Sequence, residues 1–374
     1  MVKFAIVGIG TMGSNHARNF NEGKVINGQL VAVCDINPAR LKWVEENLNP
    51  EIKKYRDYDE MLEAGGFEAV MIATPHYLHP PMAIKALNKG YHTLIEKPAG
   101  VYTKQVREMN EVAEKHPELV FGLMLNQRTN PLYQKAREIV QSGELGEIKR
   151  TNWIITDWYR PQAYYDQGGW RATWSGEGGG VLINQSPHQL DLWQWICGMP
   201  KTMRAFCYFG RNRKISVEND VTAFCEYPNG ATGVFVTSTH DYPGSNRFEI
   251  SGENGQIVIE NSKLILRKSK MNEKKFNETN KEAWHTPGFE VFEYKEANDW
   301  GIQHVEIFNN FIRTIQTGAP LLAPGVEGIK SLKIANAMLL STWLNETIDI
   351  ENLDEELFYQ ELQKRILEEK QSSH

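Results

Sequence analysis

The apolar positions of this chain change rhythm partway along. Up to about residue 126, short unbroken apolar runs alternate with stretches of helical period. Phe4-Ala5-Ile6-Val7, Leu30-Val31-Ala32-Val33-Cys34, Ala69-Val70-Met71-Ile72-Ala73, His92-Thr93-Leu94-Ile95 and Leu119 to Leu125 read as buried strands. Between them, helices are expected from Ser14 onward, over 39–48, around Met61-Leu62, over 82–89 with a stop at Gly90, and over 103–115. Strands alternating with helices at this spacing predict a parallel, doubly wound α/β sheet.

Beyond Asn126 the pattern changes. An amphipathic helix over 132–142, capped by Gly143, leads into a strand from Ile148 towards Trp158. Strands follow near 202–209, 220–227, 231–239, 246–251, 256–260 and 263–267, with turn signals at Asn229-Gly230 and Asn254-Gly255. A helix expected over 181–197, closed by Gly198, interrupts them. Residues 268–290 read as a polar surface excursion, and helices return over 301–317, 325–346 and 354–369. The expectation is two domains: a doubly wound α/β domain over 1–126, and an α+β domain with a mostly antiparallel sheet over 127–374.

Composition narrows the partners. A formal net charge of -6 argues against a nucleic-acid or anionic-membrane surface. No run approaches the roughly 18 apolar residues of a membrane span, and the N-terminal stretch lacks the features of a signal peptide. Four scattered cysteines without a C-x-x-C pair suit a reducing compartment and offer no thiolate metal site. A cytoplasmic protein with no metal is expected.

The first strand runs straight into Gly8-Ile9-Gly10-Thr11-Met12-Gly13 and then a helix, the context a dinucleotide fingerprint requires. The glycines permit the turn, the approach of the pyrophosphate and close helix–strand packing, while the helix N-terminus meets phosphate charge. Asp35 ends the second strand about 22 residues after Gly13, where a carboxylate accepts ribose hydroxyls and repels a 2′-phosphate. NAD is therefore favoured over NADP, with Arg40 as the residue that could accept a 2′-phosphate. Thr74-Pro75, after the third run, and Glu96-Lys97-Pro98, after the fourth, fall on the same carboxyl edge of the sheet, where such folds bind ligands. Lys97 is placed there to polarise a substrate hydroxyl. Asn126 joins the cofactor set and Arg128 the substrate set.

In the expected helix over 181–197, Asn184, His188, Asp191 and Trp195 fall at i, i+4, i+7 and i+11, one narrow stripe on an otherwise apolar element. Either this stripe is a hydrogen-bonded core network or it faces a polar ligand. Tryptophans and tyrosines crowd the neighbouring sequence. Trp153 and Trp193 read as core, whereas Tyr159, Trp170 and Arg171, in loop sequence broken by glycine and proline, read as pocket residues for a sugar face and its hydroxyls.

With Gly8 to Gly13, Ala73-Thr74-Pro75 with His79, Glu96-Lys97-Pro98 and the Gly178-to-Asp191 segment in this order, the chain resembles the Gfo/Idh/MocA oxidoreductase family over nearly its whole length. That family includes glucose–fructose oxidoreductase and inositol dehydrogenase. The resemblance implies an α/β Rossmann N-terminal domain and an α+β C-terminal domain with a large, mostly antiparallel open sheet. It also implies a tightly held nicotinamide cofactor, sugar or cyclitol substrates, and dimers or tetramers formed through the C-terminal sheet. It adds Ala73, His79 and Glu96 to the cofactor set. It also implies that Lys97 and His188 act together, with an acid four residues before the histidine; this sequence has Asn184 there. An amide orients a hydroxyl but does not titrate.

The reading that follows is oxidation of a secondary alcohol of a sugar, sugar derivative or cyclitol, with hydride passing to nicotinamide, His188 as general base and Lys97 stabilising the alkoxide. The alternatives are an enzyme that uses NAD transiently to cleave a glycoside by oxidation and elimination, and a sugar sensor without catalysis.

Overall fold

The computed structural model describes residues 1–295 and 302–372, which form two compact units. The first comprises Met1–Thr129 with Asp299–Leu332; the second comprises Asn130–Asn298 with Lys333–His374. In chain order the elements start with β1 (Val2–Val7), α1 (Thr11–Asn21), β2 (Gly28–Cys34), α2 (Pro38–Asn47), β3 (Lys53–Tyr55), α3 (Tyr58–Ala64) and β4 (Ala69–Ile72). They continue with α4 (His79–Asn88), β5 (His92–Ile95), α5 (Thr103–Glu114), β6 (Phe121–Leu123), α6 (Pro131–Gln141), β7 (Ile148–Ile155), α7 (Gln162–Tyr165) and α8 (Pro187–Cys197). Then come β8 (Thr202–Phe209), β9 (Glu218–Glu226), β10 (Thr232–Ser238), β11 (Asn246–Gly252), β12 (Gly255–Glu260) and β13 (Lys263–Ser269). The last are α9 (Glu273–Thr279), β14 (Phe289–Lys295), α10 (Ile302–Thr317), α11 (Gly328–Leu344), β15 (Ile348–Asp349) and α12 (Glu355–Ser372).

The six strands of the first unit pair in the order β3-β2-β1-β4-β5-β6, all parallel. The order reverses between β1 and β4, the switch point at which doubly wound sheets take ligands. Phe4 of β1 is fully buried, with ring centroids 5.0 Å from Phe20, 5.9 Å from Phe308 and 6.1 Å from Phe311. The last two rings come from α10. The sequence pattern assigns this helix to the second domain, because an amphipathic period shows that one face is buried but not against what. Four aromatic rings packed together make α10 part of the first unit's core. Residue 301, the expected first residue of this helix, lies outside the described residues.

In the second unit nine strands pair in the order β14-β13-β12-β11-β7-β10-β9-β8-β15, antiparallel except for β7 with β10. Trp153 of β7 stacks on Phe248 of β11 at 4.1 Å, and Trp193 of α8 stacks on Phe235 of β10 at 5.4 Å. Both tryptophans are fully buried, and the Trp193 indole donates to Thr151 Oγ1 at 2.9 Å. Arg137 of α6 lies over the Trp195 ring, 4.6 Å from its centroid, setting α6 beside α8.

Several elements depart from expectation, among them the short α7 and β15, which no sequence signal marked. Strand β3 is a short, polar edge with no apolar run to signal it. The stretch 268–290 holds α9 and the start of β14, whose side chains are mostly exposed and so carry no burial pattern. And α8 begins at Pro187, six residues later than expected. Proline lacks an N–H and pushes its predecessor out of the helical region, so it takes the first helical position. Residues 181–186 are instead a compact turn closed by Asn184 N–H to Gly180 O at 2.9 Å and Ser186 N–H to Val181 O at 2.8 Å. Gly198 caps the far end with φ +86°, its N–H on Gln194 O at 2.8 Å.

Candidate active site

The glycine loop after β1 is built by close approach. A Cβ on Gly8 would lie 2.5 Å from Ala73 O, and one on Gly13 only 1.7 Å from Gly8 O, so neither position admits a side chain. Gly10 faces open space with no atom within 4 Å of a Cβ. It is also the N-cap of α1, without a side-chain cap and with no acidic residue in the first turn. The first turn of α1, carrying Thr11, Met12 and Gly13, thus presents backbone N–H groups and the positive end of a helix dipole to an anion.

Asp35, at the end of β2, accepts Ile9 N–H at 2.7 Å on one oxygen and Asn37 N–H at 2.8 Å on the other, tying this loop to the neighbouring strand. The cap of α2 is Asn37, which accepts Ala39 N–H at 2.9 Å. Each Asp35 oxygen keeps a further lone pair for a ribose hydroxyl. Asn126 is buried, and its Oδ1 has no hydrogen-bond partner among the described residues. An open helix N-terminus, a carboxylate beside it and an unmet buried acceptor fit a dinucleotide. Arg40 is exposed on α2.

The loops after β4 and β5 are bound to each other by His79. Its Nδ1 lies 2.7 Å from Pro98 O and its Nε2 2.7 Å from Thr74 O. Burial pushes the His79 pKa down, while two carbonyl acceptors reward the doubly protonated ring. Glu96 Oε1 meets His16 Nε2 of α1 at 2.6 Å, and its Oε2 accepts the Lys97 N–H at 3.0 Å. Burial pushes the Glu96 carboxyl up, but the His16 hydrogen bond and the charges of His16, His304 and Lys97 outweigh it and hold the pKa at about 2. Glu96 is therefore a buried anchor for the backbone that presents the half-buried Lys97, and the Lys97–Pro98 bond is cis.

In the second unit, the residues from 181 to 196 are buried except for Asn184, His188 and Trp195. This is the expected stripe without Asp191, which is 1% exposed and accepts Gln194 Nε2 at 3.0 Å. The turn that carries Asn184 is pinned from below by Glu218 of β9. Its Oε1 accepts Gly180 N–H at 2.9 Å and Leu182 N–H at 3.0 Å. Burial pushes the Glu218 carboxyl up to about 7 against those two hydrogen bonds, with the charge of Glu177 adding to the rise.

Asn184 Nδ2 contacts Glu177 Oε1 and lies 3.4 Å from Tyr164 OH, which also accepts Arg171 Nη1 at 2.9 Å. Arg171 lies over Trp170, 4.9 Å from the ring centroid, and Trp170 is 36% exposed. Tyr159, 41% exposed, has Arg213 over its ring at 5.3 Å and Tyr242 edge-on at 5.6 Å. Arg128 belongs to a different setting, in the first unit. It is 1% exposed, and its Nη1 lies 2.6 Å from Glu327 Oε2 and 3.2 Å from Leu322 O. Glu327 is 29% exposed, so the pair is buried on the arginine side only.

Sequence reasoning passed over His16, Tyr164, Glu177 and Glu218. Glu177, a lone carboxylate inside a glycine run that leads into apolar sequence, carried the one readable signal. His16 and Glu218 lie 80 and 38 residues from their partners Glu96 and Gly180. Among the described residues, no group of three or more His, Cys, Asp and Glu side chains could hold a metal ion, and no helix is long and apolar enough to cross a membrane.

Residues 2–122 match an oxidoreductase family with an NAD-binding Rossmann fold, and residues 133–258 match the GFO/IDH/MocA C-terminal domain. The chain is 30% identical over 272 residues to scyllo-inositol 2-dehydrogenase (NAD(+)) of Bacillus subtilis, spanning 69% of this chain and 73% of that one. It is 22% identical to myo-inositol 2-dehydrogenase of Thermotoga maritima over 94% of this chain and 99% of the relative. The WlbA dehydrogenase of Bordetella pertussis, solved with NADH and UDP-GlcNAcA, shares its fold at a TM-score of 0.76, 24% identity and coverage of 93% and 98%. The chain belongs to the GFO/IDH/MocA oxidoreductase family, with an NAD-binding Rossmann domain followed by that family's C-terminal domain.

Proposed function

We propose that Lys97 and His188 are the catalytic residues with which this NAD-dependent sugar- or inositol-type dehydrogenase oxidises a secondary alcohol. The observation that carries the reading is the open glycine loop with Asp35 beside it, at the point where the strand order of a parallel sheet reverses. Gly8, Gly10, Thr11, Met12, Gly13 and Asp35 would hold the dinucleotide, with Ala73, Thr74, Pro75 and Asn126 along the same sheet edge. Bound NAD supplies the hydride acceptor.

The chain's own residues handle the proton and the charge. His188 takes the hydroxyl proton, as an imidazole suits neutral pH. The Lys97 ammonium stabilises negative charge as it develops on the carbinol oxygen. Glu96 fixes the Lys97 backbone and His16 fixes Glu96. Asn184, Tyr159, Trp170 and Arg171 would bind the polyol. Asp35 makes NAD the preferred cofactor over NADP.

The same reading includes a homo-oligomer formed through the second unit's sheet. Phe206, Tyr208 and Phe224 are 52%, 48% and 44% exposed on neighbouring strands β8 and β9, an apolar band suited to a second copy. Residence in the cytoplasm fits the four free thiols.

The test is NAD reduction by the full chain over a panel of inositols, hexoses, uronic acids and glycosides. Net NADH formation with one polyol class is the expected result; product without net NADH, or binding without turnover, would overturn it.

A further inference from the structure

The residue behind Asn184 is as informative as Asn184 itself. Glu177 is 2% exposed. Its Oε2 accepts Ala172 N–H at 2.7 Å, and its Oε1 is in hydrogen-bond contact with Asn184 Nδ2. An ionised carboxylate only accepts, so it selects one of the two orientations of the amide: Nδ2 towards Glu177, and the acceptor Oδ1 at the other end of the planar amide. Tyr164 has a complementary arrangement. Its phenolic oxygen faces Arg171 Nη1 at 2.9 Å and the amide nitrogens of Asn184 and Gln185, each at 3.4 Å. With N–H donors converging on that oxygen, its own proton must turn away from them and serve as a donor.

Charged groups surround this pair on both sides. Arg171 and Arg160 lie over the Tyr164 ring at 4.9 and 5.0 Å, and the charge of Glu177 adds to the rise of the Glu218 carboxyl below the turn.

We propose that Glu177 is a positioning residue that sets the Asn184 amide as a neutral hydrogen-bond acceptor for a substrate hydroxyl, with the Tyr164 hydroxyl as the accompanying donor. The buried carboxylate stands behind position 184 instead of at it. A fixed acceptor beside a fixed donor matches a hydroxyl, which does both. It disfavours a carboxylate or a deoxy position in the same place. The role rests on the dehydrogenase reading above.

Three full-length variants test it: Glu177→Gln, Asn184→Asp and the swap carrying both. Activity is followed as NAD reduction with whichever of scyllo-inositol, myo-inositol, glucose and glucuronate the unchanged chain oxidises fastest. A glutamine at 177 donates as well as accepts, so Asn184 loses its single orientation. KM should rise roughly tenfold with kcat little changed. In the swap the amide now at position 177 donates to the carboxylate now at position 184. An acceptor again stands at 184, and KM should return to within about threefold of the starting value.

The second readout needs no turnover. Asn184→Asp alone sets two carboxylates in contact, raising the pKa at which the second ionises. A folded pKa raised above the unfolded value means stability lost as pH rises, so its unfolding temperature should fall between about pH 4 and 8 relative to the unchanged chain. The swap should not show this fall.

An unchanged KM in Glu177→Gln, no recovery in the swap, or equal pH dependence in Asn184→Asp and the swap would each overturn the assignment. If Glu177→Gln does not fold, the comparison of Asn184→Asp with the swap decides. If the unchanged chain oxidises none of the four, the dehydrogenase reading fails while the unfolding series still judges the Glu177–Asn184 coupling.

Discussion

Two glycine-rich loops lead into helices in this chain, one in each unit, and they are used in opposite ways. In the loop from Gly8 to Gly13, close approach is confined to the protein side: Gly8 meets Ala73 and Gly13 meets Gly8, while Gly10 faces open space before an uncapped helix. In the loop from Gly178 to Gly180, the protein fills its own anion site. A Cβ on Gly180 would lie 1.9 Å from Glu218 O, and the Glu218 carboxylate takes the N–H groups of Gly180 and Leu182. Glycine spacing alone does not separate a loop built for a ligand's phosphate from one built around an internal carboxylate. What separates them is whether a protein acceptor already occupies the N–H groups.

The largest effects test the catalytic residue assigned to each unit. Lys97→Met and His188→Ala should each lower kcat about 10²–10⁴-fold, with NAD affinity by calorimetry unchanged. Unchanged rates in either variant would remove that residue from the mechanism.

Next come the loops themselves. Gly10→Ala adds a methyl where nothing stands within 4 Å, so the melting temperature should hold while NAD binding weakens about tenfold or more. Gly180→Ala drives a methyl into backbone 1.9 Å away; it should destabilise the fold by roughly 1–3 kcal/mol or more and spare NAD affinity once folded. The reverse pattern would dissolve the contrast between the two loops.

The buried carboxylates of the two units should also respond to pH in opposite directions. The Glu218 pKa of about 7 lies above its ordinary 4.5, so its contribution is complete below 4.5 and is lost as pH rises towards 7. Glu96, held at about 2, contributes above 4.5 and loses that contribution as pH falls through 2. Each swing is on the order of 3 kcal/mol. Urea midpoints measured across pH should flatten on the alkaline side in Glu218→Gln and on the acid side in Glu96→Gln.

The smallest effect concerns cofactor choice. Asp35→Ser removes the carboxylate and should shift the NADP-to-NAD ratio of kcat/KM by about tenfold. A ratio that does not move would show that Asp35 serves only as the tie to Ile9 and Asn37.

The sequence by itself determined the alternation of apolar runs and helices in the first unit and the glycine loop with Asp35. Both are local: burial on one face and a steric demand for no side chain each act over a few residues. It put Asn184 and His188 close together along the chain, but the turn that carries Asn184 ahead of α8 is a tertiary outcome. Tertiary structure alone decided the rest. It drew α10 into the first unit through Phe308 and Phe311, which meet Phe4 some 300 residues away in the chain. It set His16 on Glu96 and Glu218 beneath the Gly180 turn, contacts between elements far apart in sequence. It withdrew Asp191 from the polar stripe and set the buried Arg128 against the partly exposed Glu327. And it placed Glu177 against Asn184, because which polar groups find one another in a packed interior depends on the packing, and no period along the chain records it.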